Sequence, residues 1–580
     1  MTAPTGARRR AWAVLATTGV LAASVVAASP ATANDVDRPE KGFMPASTVL
    51  RDRAPQKVGL DPAPIAEAER LIASHEEAPT PDGHPMYGGA VGVMGHDGAV
   101  VARHASGWAV RWQDATTELP RDEWVPMRED TVFDLASVSK LFTSLVTVQL
   151  VEQGEVDLDA PVATYLPEFA ANGKEAVTVR QLLTHTSGFT SWLPLWSKYP
   201  DEASRIQAVM DQPLTNPAGS TYLYSDLNLI TLGVMAERLT GTTLDRLVHD
   251  RITAPLGMRD TGYNPADRER TAATEYQTAP PRGLVWGEVH DENAWSLGGV
   301  AGHAGVFSTA DDLAVLAQAL LNGGTYRGHR ILDRRSVELL VTNFNQAFPG
   351  DAHGLGFELD QRWYMDGLSG PRTAGHTGYT GTSIVIDFDS RSFAVLLTNR
   401  VHPSREWGSN NQARREWARG LALAMPVDPR HGRTAWESGH ADATTATLTA
   451  PVQVPARGGR LAFDLFVDTE DTDVLTLETS ADGGTTWTPL PFALRERGTE
   501  TTTDGTVSGY HERRWAQARA DLPAGDLLLR WRMTTDAQYL GRGVLVDGVR
   551  ATAGHHVLLD GERHASVFDP RGWSVVRRGT

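Results

Sequence analysis

The chain has 580 residues, 41% of them hydrophobic, with 55 glycines, 33 prolines and no cysteine. That length calls for two or three domains, and the composition excludes a mainly disordered or fibrous chain. A formal charge of −17 without any long basic run excludes a nucleic-acid binder, and the missing thiol excludes disulfides, a cysteine nucleophile and thiolate-held zinc.

The first residues read as an address. Arg8-Arg9-Arg10 leads into an uncharged stretch rich in Ala, Val and Leu from Ala11 to Ala28, followed by Ala31-Thr32-Ala33. A basic start, an apolar stretch and an A-x-A site predict a secretory signal cleaved after Ala33, by the Sec or the twin-arginine route. A retained anchor is the alternative, because the apolar run approaches the ~18 residues of a spanning helix. Cleavage removes three arginines and no acid, so the mature protein is expected to be secreted and more acidic still, with no membrane span.

An N-terminal segment, 34–54, precedes a first body at about 55–425. Gly88 to Met94 and Ala99 to Val101, split by His96-Asp97-Gly98, predict a hairpin at a sheet edge. Leu141 to Glu152 predicts a helix stopped at Gly154, since glycine accepts the left-handed conformation. Ser383 to Phe388 and Phe393 to Thr398 predict two strands joined by Asp389-Ser390-Arg391, and a helix from about Asn411 to Ala424 closes the body. Hairpins from both ends with helices between them predict an α/β (α+β) layer structure.

Residues 426–433 read as a Pro-rich linker. Beyond them, 434–580 lose helical periodicity. Leu461 to Val467, Val474 to Glu478, Leu527 to Trp531 and Gly543 to Val546 are short alternating runs separated by turns such as Asp482-Gly483-Gly484. They predict an all-β sandwich.

Three short motifs carry chemistry. Ser137-Val138-Ser139-Lys140 places a hydroxyl and an amine three apart, on one face of a helical turn. A desolvated amine there loses its proton and activates the serine; a plain helix start capped by Ser137 is the bland alternative. Tyr224-Ser225-Asp226 offers a tyrosine that a lysine beside it can turn into a general base, or core packing with Ser225 or Asp226 as a helix cap. His376-Thr377-Gly378-Tyr379 offers a glycine-flanked edge strand whose N–H can complete an oxyanion hole with that of Ser137, or a solvated turn.

In order and spacing these stretches resemble the serine β-lactamases and penicillin-recognising D,D-peptidases, particularly the class C β-lactamase and esterase branch. Phe133 to Lys140, Leu182-Leu183-Thr184-His185-Thr186-Ser187-Gly188-Phe189, Tyr224 to Asn228, Leu297 to Thr309 and the His376-Thr377-Gly378 stretch are all similar to that family's motifs. The resemblance covers about 55–425 and implies a β-lactamase/transpeptidase-like catalytic domain with a helical subdomain. It implies Ser137 as nucleophile, Lys140 and Tyr224 as its proton handlers, and the N–H groups of Ser137 and Tyr379 as oxyanion hole. Asp226, His376, Thr377 and Gly378 would bind substrate, without cofactor or metal. Asp226 stands where many lactamases have Asn, and His376 where they have Lys, which weighs against β-lactam turnover.

Other residues carry smaller expectations. His290-Asp291-Glu292-Asn293 suggests metal ligands, but neighbours on a loop rarely converge on one ion. His185 and His303 read as structural, and Trp192, Trp196 and Trp286 as packing or as a pocket lining. The last 150 residues resemble the MAM-like sandwich of secreted immune-inhibitor-A-type metallopeptidases through Thr469 to Asp473, Thr479 to Trp487 and Gly543 to Val549. No H-E-x-x-H accompanies them, and the acidic stretch reads as a solvated turn in preference to a calcium site. Taken together, the expectation is a secreted serine hydrolase that cleaves an ester, a D-amino-acid amide or a peptidoglycan-derived peptide, with an accessory sandwich that could hold wall polymer. The alternatives are a non-catalytic wall-binding protein and a true β-lactamase.

Overall fold

Ile384-Val385-Ile386 and Phe393 to Leu397 are apolar at successive positions, so their strands must be covered on both faces. The computed structural model, which describes residues 36–77 and 80–577, meets that demand with a layered first body. The expected export signal, 1–33, lies outside the described residues. The sheet contains β1 (Arg51–Asp52), β2 (Gly89–His96), β3 (Ala99–Val110), β4 (Val125–Pro126), β5 (Glu358–Leu359), β6 (Thr373–Thr377), β7 (Ser383–Asp387) and β8 (Ser392–Thr398). Its order is β1-β3-β2-β8-β7-β6-β5, with β4 on β3. The predicted N-terminal hairpin therefore has β2 in the interior, where β8 pairs with it, and only β3 lies towards the edge.

Period-2 geometry sorts the side chains. Ile384, Ile386, Val395 and Leu397 join a core with Leu141, Phe142 and Leu145 of α2 (Ser139–Glu152) and with Leu313 and Leu316 of α4 (Ala310–Leu321). Val385, Ala394 and Leu396 point the other way, against Ile65 and Ile72 of α1 (Pro62–Ser74) and Trp417 and Leu421 of α5 (Asn411–Ala424). Gly92 makes the second layer possible, because a Cβ there would meet the Trp417 indole at 2.5 Å. The helices between the two hairpins, including α2 and α3 (Asp226–Thr240), make up the helical side of the body.

Beyond residue 433 the described structure is all strand apart from one short helical turn. An eight-stranded sheet containing Thr434–Ser438, Gly459–Asp468 and Gly543–Ala553, and a six-stranded one containing Thr445–Val454, Val474–Ser480 and Gly525–Thr534, enclose Leu448, Phe463, Leu477 and Trp531. This sandwich is fastened to the first body. Phe466 and Leu545 enter the cluster formed by α1 and α5. Residues 426–433, expected as a free linker, are packed in: Val427 is buried and the Pro426 carbonyl accepts from the Val36 N–H at 2.9 Å.

Arg513 is the polar centre of the contact. Fully buried, it donates to Asp387 Oδ2 (2.8 Å), Asp468 Oδ2 (3.0 Å) and the carbonyls of Gly367 and Ser369 (both 2.9 Å). Removing the arginine leaves the buried Asp387 carboxylate uncompensated, whereas Asp468 keeps Arg362 at 3.3 Å. Arg513→Met should therefore cost about 3–5 kcal/mol of unfolding free energy, read by chemical denaturation of the full mature chain; a loss under ~1 kcal/mol would contradict the role given to this contact.

Candidate active site

The nucleophile segment is shaped before it is packed. Ala136 adopts φ +46°, a left-handed conformation that a side chain resists. Asp134 holds it there: Oδ1 accepts from the Ala136 N–H (2.8 Å) and Oδ2 from the His290 N–H (2.6 Å). Ser137 follows in a 3-10 turn that runs directly into α2, so the i, i+3 spacing to Lys140 survives. Ser137 does not cap the helix.

Lys140 is 1% exposed and its Nζ has three oxygen partners: Ser137 Oγ at 2.8 Å, Asp226 Oδ1 at 2.8 Å and the His303 carbonyl at 3.1 Å. The Tyr224 hydroxyl contacts both Lys140 and Ser137, and the ammonium lies 4.9 Å from the Tyr224 ring centroid. The three residues named as catalytic from the sequence thus meet around one hydroxyl.

Their protonation differs from the expectation. Burial works to neutralise Lys140, but the Asp226 carboxylate and the Tyr224 oxygen outweigh it and hold the ammonium above its ordinary value. Burial likewise dominates at Tyr224, pushing it up to about 12 even though Lys140 pulls it down, and Asp226 adds to the rise. Lys140 is therefore not a free amine base, and Tyr224 is not acidified. Asp226 keeps Lys140 charged and adds to the rise that burial imposes on Tyr224; it opens α3 behind Ser225, and the Ser225 hydroxyl caps that helix by accepting from the Leu227 N–H. Asp226 faces Lys140, as its counter-ion.

The oxyanion side is a turn at the end of β6. Gly378 has no room for a Cβ, which would sit 2.3 Å from the Leu135 carbonyl and 2.1 Å from Thr382 Oγ1. Thr380 Oγ1 donates to the Asp134 carbonyl (2.7 Å) and Thr382 Oγ1 to that of Leu135 (3.0 Å), stitching the turn to the nucleophile segment. Among the described residues no acceptor meets the Tyr379 N–H, and the Tyr379 ring is half exposed. β6 is not the edge strand expected: the two-residue β5 pairs with Ala374 and Gly375, leaving His376 and Thr377 open on that side. Nor is His376 a solvated turn residue. It is buried on the strand, donates Nδ1–H to the Thr377 carbonyl (2.7 Å), and burial followed by repulsion from Lys140 lowers it to about 3, so the ring is neutral.

Supporting residues surround this set. His185, itself at φ +55°, accepts at Nδ1 from the Ser225 N–H (3.1 Å) and from Asn228 Nδ2 (3.0 Å) and packs 4.6 Å from the Tyr224 ring. His303 supplies its carbonyl to Lys140 and pairs through Nε2 with Asp291 Oδ1 at 2.9 Å. The side chains of 290–293 diverge: His290 goes to Glu275, Asp291 to His303, Glu292 to Arg405 and Asn293 to the Leu195 N–H. Asp226, Asp291 and His303 do bring ligand atoms within 4.8 Å of one another, but Lys140 already neutralises Asp226 there. A second set, Glu470, Asp473 and Asp536, lies in the sandwich; the stretch is a turn with Asp471 and Thr472 exposed, as expected, but Asp473 is buried, and burial with mutual repulsion raises Glu470 to about 7 and Asp473 to about 6. Trp192 is exposed, Trp196 and Trp286 half-buried, and Trp286 donates to the Thr271 carbonyl. Thr380, Thr382 and Asp134 bear no motif of their own and were not legible as site residues.

Comparison with known proteins agrees with this geometry. The family model described as Beta-lactamase matches residues 73–419. A protein of Salmonella agona (strain SL483) described as "Putative D-alanyl-D-alanine carboxypeptidase" is 32% identical over 392 residues, covering 61% of this chain and 87% of its own. One of the same description from Escherichia coli (strain K12) is 31% identical over 392 residues, covering 61% and 86%. The solved structure of EstCE1, a hydrolase with promiscuous acyltransferase activity, superposes with a TM-score of 0.50 at 22% identity, covering 62% of this chain and 99% of that one, which shows the shared fold. With a family match over more than half its length, the chain belongs to the β-lactamase family of serine hydrolases and penicillin-binding-protein-like relatives.

Proposed function

We propose that this protein is an exported serine hydrolase that works through an acyl-enzyme on Ser137. The observation that carries the reading is the set of contacts around one hydroxyl, with Lys140 Nζ 2.8 Å from Ser137 Oγ and the Tyr224 hydroxyl touching both. Ser137 Oγ adds to the substrate carbonyl carbon as its proton passes to the ionised Tyr224 oxygen. The N–H groups of Ser137 and Tyr379 meet the charge that moves onto the carbonyl oxygen. Collapse expels an alkoxide or amine, which takes the proton from Tyr224. Water then repeats the sequence on the acyl-enzyme, releasing the acid and restoring Ser137. Lys140 stays cationic throughout, orienting Ser137 and offsetting the charge on Tyr224.

Electrostatics favour neutral acyl substrates. A substrate carboxylate would meet neutral His376 and the Asp226 carboxylate, while Arg400 and Arg405 beside Tyr379 are committed to backbone carbonyls, Glu275 and Glu292. Esters and amides without a terminal carboxylate therefore suit the site better than penicillins. The description of the relatives favours a second reading, a D-alanyl-D-alanine carboxypeptidase. Retention of Ser137, Lys140 and Tyr224 in working contact speaks against a non-catalytic wall binder.

Intact-mass analysis after brief exposure to an activated short-chain ester, a D-Ala-D-Ala thioester and a penicillin should show an adduct or turnover with the ester first. Ser137→Ala should abolish it. Labelling of the alanine variant at the wild-type rate would remove Ser137 from the mechanism, and preferential reaction with the thioester would install the second reading.

The protonation states fix a pH dependence. With Tyr224 pushed up to about 12, only about one molecule in 10⁵ carries the phenolate at pH 7, and that fraction rises about tenfold per pH unit. Pre-steady-state acylation should climb from pH 7 to 9 without levelling. Asp226 raises both Tyr224 and Lys140, so Asp226→Asn lowers both and should move the rising limb towards lower pH. A flat profile, or a limb moved to higher pH in Asp226→Asn, would exclude Tyr224 as the base.

A further inference from the structure

Arg414 is a buried guanidinium in the first turn of α5, and among the described residues it forms no ion pair. Its hydrogen bonds go to neutral oxygens: Nη1 donates to Asn411 Oδ1 (2.7 Å), and Nη2 to the carbonyls of Gly378 (2.7 Å) and Thr382 (3.0 Å). The acid that bears on it, Glu358, is itself pushed up to about 7 by burial, and burial together with repulsion from Arg400 lowers Arg414 to about 9. A charge held at such a cost, without a counter-ion, calls for a reason in the carbonyls it touches.

Those carbonyls bracket the turn after β6. The Gly378 carbonyl and the Tyr379 N–H are the two ends of one peptide group. A cation on the carbonyl oxygen draws electron density from the amide nitrogen and makes the N–H at the far end a stronger donor, while fixing the plane in which it points. Arg400 repeats the arrangement one peptide later, donating through Nε to the Tyr379 carbonyl at 3.1 Å with its guanidinium 4.6 Å from the Tyr379 ring centroid. Asn410, next to the start of α5, holds the Gly381 carbonyl at 2.9 Å. We infer that Arg414 is a positioning residue of the oxyanion hole, which orients and polarises the Gly378–Tyr379 peptide from behind so that the Tyr379 N–H faces the reacting carbonyl as a strengthened donor. The inference rests on the oxyanion role proposed above for that N–H. It assigns α5 a part in catalysis although Arg414 itself does not touch substrate.

The test uses the full mature chain with p-nitrophenyl butyrate as substrate and phenylboronic acid as a probe that becomes a tetrahedral anion on Ser137. Arg414→Gln, which keeps a donor but loses the charge, should lower the acylation rate constant by about tenfold or more, leave KM within about twofold, and weaken the boronate by a similar factor. Arg414→Lys, which keeps the charge and one donor, should recover part of both losses. A merely structural arginine would lower thermal stability without this parallel between rate and boronate affinity. Acylation by Arg414→Gln within about twofold of wild type, or a rate loss with unchanged boronate binding, would overturn the inference. Should Arg414→Gln fail to fold, the lysine variant carries the test: an intermediate, parallel loss supports the inference and wild-type values overturn it. If wild type itself forms no Ser137 adduct, the proposed function fails and takes this inference with it, whereas an adduct in wild type with unimpaired Arg414→Gln removes the role of Arg414 alone.

Discussion

Lys140 is a cation in a place without water, and such a group persists only when acceptors surround it. Three do: the nucleophile's oxygen, a backbone carbonyl and a carboxylate. Each comes from a different stretch of chain, so the ammonium is where the 3-10 turn of Ser137, the N-terminus of α3 and the loop at His303 are forced together. The arrangement also decides what the site can do. With Asp226 as counter-ion the lysine keeps its proton, and the mechanism proposed above accordingly gives the serine proton to Tyr224. A neutral Asn at 226 would remove that counter-ion, letting burial lower Lys140 and taking one raising charge away from Tyr224. One carboxylate thus sets the protonation pattern of the whole constellation.

The motif residues were legible because their spacing follows from local geometry: three residues bring Ser137 and Lys140 onto one face, and Ser225 caps a helix that carries Asp226. The two strands at 383–388 and 393–398 were legible from their apolar residues and the turn at Asp389-Ser390-Arg391, for the same kind of reason. The protonation states were not. They depend on the 2.8 Å approach of Asp226 to Lys140, a contact between segments 86 residues apart in sequence, and the expectation of a free lysine counted burial without that partner. His376 shows the opposite error: its type suggested a wet turn, while its position on β6 gives it a buried, neutral ring. Arg414, Thr380 and Thr382 belong to no pattern, because what they do is hold backbone carbonyls, and a sequence does not display which carbonyls a side chain will meet.

The hairpin of β6 and β7 connects the two bodies of the protein to the chemistry. At one end Thr373 pairs with Asp387, whose carboxylate is held by Arg513 from the sandwich; at the other Thr377 pairs with Ser383, where the turn bearing Tyr379 begins. Three residue pairs separate the two ends, all of them inside a sheet packed on both faces. A close-packed strand pair of this length transmits a displacement in place of absorbing it. The sandwich is thus built into the support of the turn proposed as the oxyanion hole, and its removal would leave Asp387 without its buried guanidinium and uncover the α1 and α5 cluster that Phe466 and Leu545 cover.

This placement explains why the site can tolerate so strained an entry as Ala136 at φ +46°. Strain at a functional loop persists only when the surroundings over-determine it. Here Asp134 grips the Ala136 N–H and is itself gripped by the His290 N–H; Thr380 and Thr382 tie the turn to the carbonyls of Asp134 and Leu135; and Arg414 and Arg400 hold the far side of that turn. The proposed nucleophile and oxyanion donor are thereby fixed to each other by backbone carbonyls. Preorganised donors of this kind need no reorientation when charge develops on the substrate oxygen. Under the proposed mechanism, what is left to the substrate is to bring a carbonyl of the right shape and no negative charge of its own, because Asp226 already stands beside Ser137 and Lys140.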